Sequence, residues 1–194
     1  TTSIEKTKLN YLPIPVDENI ENLEIFNNKN RYKDLFFALS HGVNFGKLKK
    51  GKVDEREYFI SQLMKKFPNI NYNILGISNE SPKWNYDYYN ELNKCKIALN
   101  LSRGKPLKFT SSNRIASLIG NGIYTFIDKK TQFQKIFDET EVGFYKDLND
   151  LGNKIEKLIS NEKKINQNGK NGKNKYFKLF NNKLITKNII DKTF

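Results

Sequence analysis

Short, unbroken apolar runs alternate along this chain with polar stretches rich in glycine, asparagine and lysine. Residues 34–40, DLFFALS, are apolar at consecutive rather than alternate positions, as in a parallel-sheet strand covered on both faces. The same reading predicts strands over 71–77 (NYNILGI), 97–102 (IALNLS), 123–127 (IYTFI) and 142–145 (VGFY). Helical spacing returns between them. A helix is predicted over 54–67, where Tyr58, Phe59, Leu63 and Phe67 recur at helical intervals, Asp54 and Glu55 suit the first turn, and Pro68 ends it. Further helices are predicted over 86–95, 114–120, 131–137 and 148–159. Ser111, Ser112 or Asn113 can cap the helix at 114, and Asn121-Gly122 closes it with residues that tolerate left-handed backbone.

Strands alternating with helices define an α/β class: a Rossmann-like parallel sheet, helices on both faces, right-handed crossovers. The flanks read differently. Residues 1–33 form a connector and loop, with YLPIPVD (11–17) stiffened by Pro13 and Pro15 and an asparagine-rich loop at 18–31. Residues 161–175, NEKKINQNGKNGKNK, are low in complexity, and apolar spacing over 176–190 predicts a terminal helix packed on the outside. The expected division is a connector (1–33), a Rossmann-like domain (34–160) and a C-terminal helical extension (161–194).

Ligands of such sheets bind beyond the carboxyl ends of the strands, so the loops 41–52, 78–85 and 103–112 emerge on one edge. The first offers His41, Gly42, Asn44, Gly46 and Lys47, a set that suits either a phosphate cradle or a solvated glycine-lysine turn. In the second, Trp84 can stack on a base or pack against the tyrosine-rich helix that follows it. The third brackets Ser111, Ser112 and Asn113 with Arg103, Lys105, Lys108 and Arg114, placing cations and hydroxyls at a helix start whose dipole also attracts anions.

Charge and absent motifs narrow the chemistry. The 194 residues carry a formal net charge of +13, which favours an anionic partner: nucleic acid, an acidic membrane surface or a phosphate-bearing small molecule. No apolar run approaches the roughly 20 residues that span a bilayer, so the expected setting is cytoplasmic, with peripheral contact to anionic lipid as an option. One cysteine, Cys95, and one histidine, His41, exclude a disulfide framework and a Cys/His zinc cluster. There is no D-x-D, H-E-x-x-H or G-x-S-x-G motif. Binding of a nucleoside diphosphate by loops and helix ends survives, with Lys or Arg stabilising the leaving group; the expectation is no metal and no cofactor.

The ordered set YLPIPVD (11–17), FFALSHGVNFGKLKKG (36–51), the strand ending at Gly76, and LNLSRG (99–104) with SSNRIASLIGNGIYTFID (111–128) resembles the C-terminal domain of GT-B glycosyltransferases of the group 1, CgeB-like type. The resemblance covers nearly the whole chain. It implies half of a GT-B fold that binds a nucleotide-sugar donor, with 42–47 at the diphosphate, Gly76 to Trp84 at the base, and Arg103 to Arg114 at the diphosphate and sugar. Lys47, Arg103 and Arg114 become the candidate leaving-group stabilisers. The glutamate that many members use to hold the donor ribose is matched here by Ser117, which implies a weaker ribose contact or an altered donor. The resemblance also implies a partner, an N-terminal acceptor domain in the same longer chain. A basic nucleic-acid-binding module and an inactive GT-B-like binding domain are the rival readings.

Overall fold

The computed structural model describes residues 11–40, 55–77 and 80–193. Strands β1 (Lys33–Ala38), β2 (Tyr72–Leu75), β3 (Cys95–Asn100), β4 (Tyr124–Asp128) and β5 (Gly143–Tyr145) form one parallel sheet in the order β2-β1-β3-β4-β5. The helices among the described residues are α1 (Glu55–Lys66), α2 (Asn85–Asn93), α3 (Asn113–Gly120), α4 (Leu148–Leu158), α5 (Glu162–Phe180) and α6 (Asn182–Thr193). None is long and apolar enough to cross a membrane.

The consecutive apolar residues of the central strands are explained by cover on both faces. Leu35, Phe37 and Leu39, with Ile97 and Leu99, meet Ile60 and Leu63 of α1 and Leu151 and Ile155 of α4. Phe36 and Ala98 point the other way, to Leu92 of α2 and Leu118 of α3. Fully burying one such Leu or Phe is worth about 1.5–3 kcal/mol, so β1 and β3 carry much of the stability. On α1 the buried residues are Arg56, Ile60 and Leu63, continued by Phe67 just past its end; Tyr58, expected on that face, is 67% exposed.

Three expectations are corrected. The helix predicted over 131–137 is a pair of 3-10 turns, Lys129–Thr131 and Phe133–Lys135, because Gln132 between them is left-handed at φ 59°. The loop 18–31 contains a 3-10 turn, Ile25–Asn27, whose Ile25 and Phe26 are buried. The largest correction is α5, which runs straight through the low-complexity stretch 161–175 and ends at Phe180, before Asn181 turns extended and α6 begins. Tyr176 and Phe180, expected at the start of a terminal helix packed on the outside, are instead core residues in the last turns of α5.

The physical reason lies in the buried face of α5. Ile165, Asn168, Gly169, Gly172, Tyr176 and Phe180 follow helical spacing, but half of that stripe is glycine or asparagine and gives no apolar signal. The glycines permit contact with backbone: a Cβ on Gly169 would lie 2.4 Å from the Gly122 carbonyl oxygen, and one on Gly172 would lie 2.4 Å from that of Glu141. Asn161 caps the helix by accepting from Lys164 N at 3.0 Å. Lys173 Nζ donates to the carbonyls of Glu21 (3.1 Å) and Leu23 (2.9 Å), tying α5 to the N-terminal segment. That segment is clasped again where Val16 N donates to Phe180 O and Asn182 N to Val16 O, each at 2.9 Å.

Replacing Gly169 or Gly172 by alanine is expected to lower stability by about 1–3 kcal/mol, since rigid carbonyls oppose the added methyl. Ala at the exposed Lys170 should be nearly neutral. Thermal denaturation of the three variants checks this, and a Gly169→Ala protein as stable as the parent would contradict the packing described.

Candidate functional site

Strand order makes the site. Chain direction across the sheet reverses between β1 and β3, which lie side by side, the switch point at which parallel α/β sheets open a ligand crevice at the carboxyl edge. Helix α3 begins at this crevice. Ser112, extended at φ −141° and ψ 156°, caps it by accepting from Ile115 N at 3.3 Å. Ser111 is committed elsewhere, its Oγ accepting from Ile14 N at 2.9 Å and so fastening the basic loop to the N-terminal segment.

Two clefts flank the start of α3 and share Asn113 and Arg114. The first, of about 260 Å³, is walled by Trp84, Tyr88 and Tyr89, with Lys83 at its rim, residues 38–40 at the end of β1, and Ser117 on α3. The second, of about 440 Å³, is lined by Arg56, Arg103, Lys105 and Arg114 together with Asn100 and Ser112. Among the described residues no Asp or Glu lines either cleft. An aromatic compartment therefore adjoins a cationic one, with Arg114 between them. Its guanidinium is held in place: Nη1 donates to Leu101 O at 3.0 Å, and Cζ lies 5.3 Å from the centroid of the Phe37 ring.

Second contacts hold the walls. Glu91 of α2 accepts from Lys83 Nζ at 2.7 Å and from Lys94 Nζ at 2.9 Å, and Asn73 Nδ2 donates to it at 3.1 Å. Burial alone would raise the Glu91 carboxyl, but these hydrogen bonds outweigh it and bring the pKa down to about 2. Burial pushes the Tyr88 phenol up, with the neighbouring Ser117 hydroxyl opposing. Ser117 Oγ is itself buried and makes no hydrogen bond of good geometry. The Cys95 thiol, pushed up to about 12 by burial, has no nucleophilic character at neutral pH. Among the described residues no three His, Cys, Asp or Glu side chains are grouped to hold a metal ion.

Of the residues singled out in the sequence, Trp84, Arg103, Lys105, Ser112, Asn113, Arg114 and Ser117 line one or both clefts. Trp84 is 59% exposed at the cleft, so the tyrosine-rich helix leaves most of it uncovered. Lys108 lines neither and lies over the Phe109 ring, 5.2 Å from its centroid. Gly76 also lines neither. It sits at φ 78°, where a Cβ would fall 1.9 Å from the Leu39 carbonyl oxygen, so backbone packing suffices to require glycine. His41, Gly42, Asn44, Gly46 and Lys47 lie outside the described residues. Arg56, Lys83, Tyr88, Tyr89 and Asn100 join the clefts without having been picked out; Arg56 carried one signal, a charge on the buried stripe of α1.

The model of the family described as glycosyl transferase-like matches residues 55–191, more than half of the chain. The chain belongs to that family. No curated protein matches it. Among solved structures, TarM is similar with a TM-score of 0.58 at 14% identity, over 85% of this chain and 36% of TarM. The sucrose-phosphate synthase of Thermosynechococcus elongatus is similar at 0.57 and 13% identity, over 92% of this chain and 48% of the synthase. HepE of Anabaena, in complex with UDP, is similar at 0.56 and 13% identity, over 84% of this chain and 48% of HepE. The chain thus spans between about a third and a half of the length of these proteins. The shared element is the fold: the glycosyl transferase-like chain has the Rossmann-like half-domain of the GT-B architecture.

In this glycosyl transferase-like domain Glu91 fixes Lys83 at the aromatic cleft, and its ionisation is coupled to folding. Its folded pKa lies below the ordinary 4.5, so its contribution is complete above pH 4.5 and is lost as pH falls toward about 2. Glu91→Gln is expected to cost about 1 kcal/mol at pH 7. Urea unfolding of both proteins across this range should show the gap closing as the pH drops; a gap independent of pH would contradict the coupling.

Proposed function

We propose that this chain is the donor-binding half of a glycosyltransferase, and that it holds a nucleoside diphosphate-sugar across the two clefts at the start of α3. The observation that carries this is the juxtaposition on Arg114: the rings of Trp84, Tyr88 and Tyr89 line the cleft on one side, and Arg56, Arg103 and Lys105 line the cleft on the other. A base or nucleoside fits the compartment of Trp84, Tyr88 and Tyr89 by stacking. A diphosphate fits the compartment of Arg56, Arg103, Lys105 and Arg114, where the dipole of α3 adds to the side-chain charge. The fold likeness to HepE in complex with UDP supports the same occupant.

Chemistry follows from that placement. When the bond from the sugar's anomeric carbon to the diphosphate breaks, negative charge grows on the leaving oxygens. Guanidinium and ammonium groups of the residues that line the cleft stabilise that charge, the role a metal fills in other enzymes. The sugar then bonds to an acceptor hydroxyl, whose proton must be removed. In this reading the acceptor site and the base that takes the proton belong to an N-terminal domain of a longer chain, consistent with the share of its structural neighbours that this chain spans. Transfer of a hexose, a cytoplasmic setting and contact of the basic surface with anionic lipid complete the proposal.

Isothermal titration of the 194-residue chain with UDP, GDP and their glucose and mannose esters tests it. Saturable binding of at least one nucleoside diphosphate is expected at moderate salt. Arg103→Ala or Lys105→Ala should weaken it about tenfold by removing a charge-assisted contact, and Trp84→Ala should weaken uridine or guanosine as well. No saturable binding to any of these, with a single-stranded oligonucleotide binding instead and weakening steeply with salt, would overturn the reading in favour of a nucleic-acid module.

A further inference from the structure

We infer that Ser111 is a positioning residue, tying the cationic loop 103–110 to the N-terminal segment so that docking of that segment and binding of a diphosphate strengthen each other. The inference rests on the proposed occupancy of the cationic cleft by a diphosphate.

Of residues 13–16, PIPV, only Ile14 and Val16 have an amide hydrogen, and the two prolines restrict the backbone around Ile14. The Ile14 amide donates to Ser111 Oγ at 2.9 Å, and the Ile14 carbonyl accepts from the Tyr176 hydroxyl at 3.0 Å. Val16 N donates to Phe180 O at 2.9 Å. A stiffened strut thus runs from the last turns of α5 to the residue just before the cap of α3. Ser111 itself lines neither cleft, whereas Thr110 and Ser112 on either side of it line the cationic one.

The returning end of the loop leans on the same segment. Phe109 has a left-handed φ of 53°, rare for a bulky side chain and kept only where the surroundings over-determine it. Its amide donates to Thr131 O at 2.7 Å, and its ring lies 5.7 Å from that of Tyr11 and 6.3 Å from that of Phe133, centroid to centroid. The outer end of the loop has no such support. Arg103, Gly104 and Lys105 are exposed, and a Cβ on Gly104 would meet nothing within 4 Å. Order must therefore reach Arg103 and Lys105 from the two ends of the loop, β3 on one side and the Ser111 tie on the other.

Holding a loop in its binding conformation beforehand lowers the ordering cost of gripping a phosphate. Linkage then requires the reverse: a diphosphate that orders the loop favours the docked segment by the same factor.

Titrations of UDP and GDP into the parent chain, Ser111→Ala, Tyr176→Phe and the double variant test this. For the diphosphate that binds, each single change should weaken binding about three- to tenfold, although neither residue lines a cleft. Because both act through one strut, the double variant should fall within about twofold of the weaker single. Tyr176→Phe guards against misfolding, since it keeps the ring packed on Phe137 and Phe180. In the parent, saturating diphosphate should also slow hydrogen exchange at the Ile14 amide about threefold or more.

An Ser111→Ala affinity within about twofold of the parent, whatever its melting temperature, would reduce the hydroxyl to a structural role and overturn the inference. So would a Tyr176→Phe affinity equal to the parent's, losses that multiply in the double variant, or an Ile14 exchange rate indifferent to ligand. Absence of binding by either diphosphate to the parent chain would instead remove the function on which the inference rests.

Discussion

The pairing of β1 with β3 is the constraint on which the rest of the structure depends. Because β2 lies outside β1 and β4 outside β3, the chain leaves the shared pair in opposite directions, the arrangement that opens a gap at the carboxyl end of a parallel sheet. Helix α3 starts in that gap. Its N-terminus, its Ser112 cap and the Arg114 guanidinium therefore meet the ends of β1 and β3 at one point. Both clefts exist because of this point, and Asn113 and Arg114 belong to both for the same reason. Had β3 paired elsewhere, the same residues would form an ordinary capped helix with charges on its surface.

The opposite edge is secured by a different device. α5 reaches the start of β4 through Gly169 and approaches the start of β3, where Glu162 lies 4.0 Å from Lys96 Nζ. It then meets α3 and the N-terminal segment through Tyr176, whose hydroxyl donates to Ile14 O at 3.0 Å. The N-terminal segment in turn holds the basic loop through the hydrogen bond from Ile14 N to Ser111 Oγ. The lower edge of the sheet is thus connected to the site by packed and hydrogen-bonded elements, even though no residue of α5 lines either cleft. A contact made only by glycine backbone on one side of the molecule helps fix the position of a cationic loop on the other.

Most of the fold was legible because its central strands are continuously apolar, and only burial on both faces explains a run such as 34–40. The α5 face escaped because hydrophobicity was the signal, whereas Gly169, Gly172 and Asn168 are buried for close approach. At the site, charge and helix capping pointed to Arg103, Lys105, Ser112, Asn113 and Arg114, which do line the clefts. Ser111 shares their composition and spacing but is fastened to Ile14, a partner almost a hundred residues away that no local pattern reveals. Arg56 and Asn100 were invisible for a related reason. Each lies inside an element chosen for its apolar neighbours, and only the assembled sheet turns both toward one cleft.

Ser117 shows how the aromatic cleft differs from a carboxylate-bearing one. A glutamate there would place an acceptor beside Arg114 and within the field of Lys83, partly neutralising the two cations that line that compartment among the described residues. With serine, position 117 adds no charge to the cleft, and Glu91, which does not line it, accepts from Lys83 Nζ at 2.7 Å. The Ser117 Oγ is buried without a hydrogen-bond partner, in a compartment whose walls are three aromatic rings. Charged and polar side chains are concentrated instead at the other cleft, which Arg56, Arg103, Lys105 and Ser112 line. Stacking tolerates many bases, whereas directed hydrogen bonds discriminate among hydroxyls. Under the proposed occupancy, the stacking end of the groove is therefore the permissive one and the charged end the exacting one.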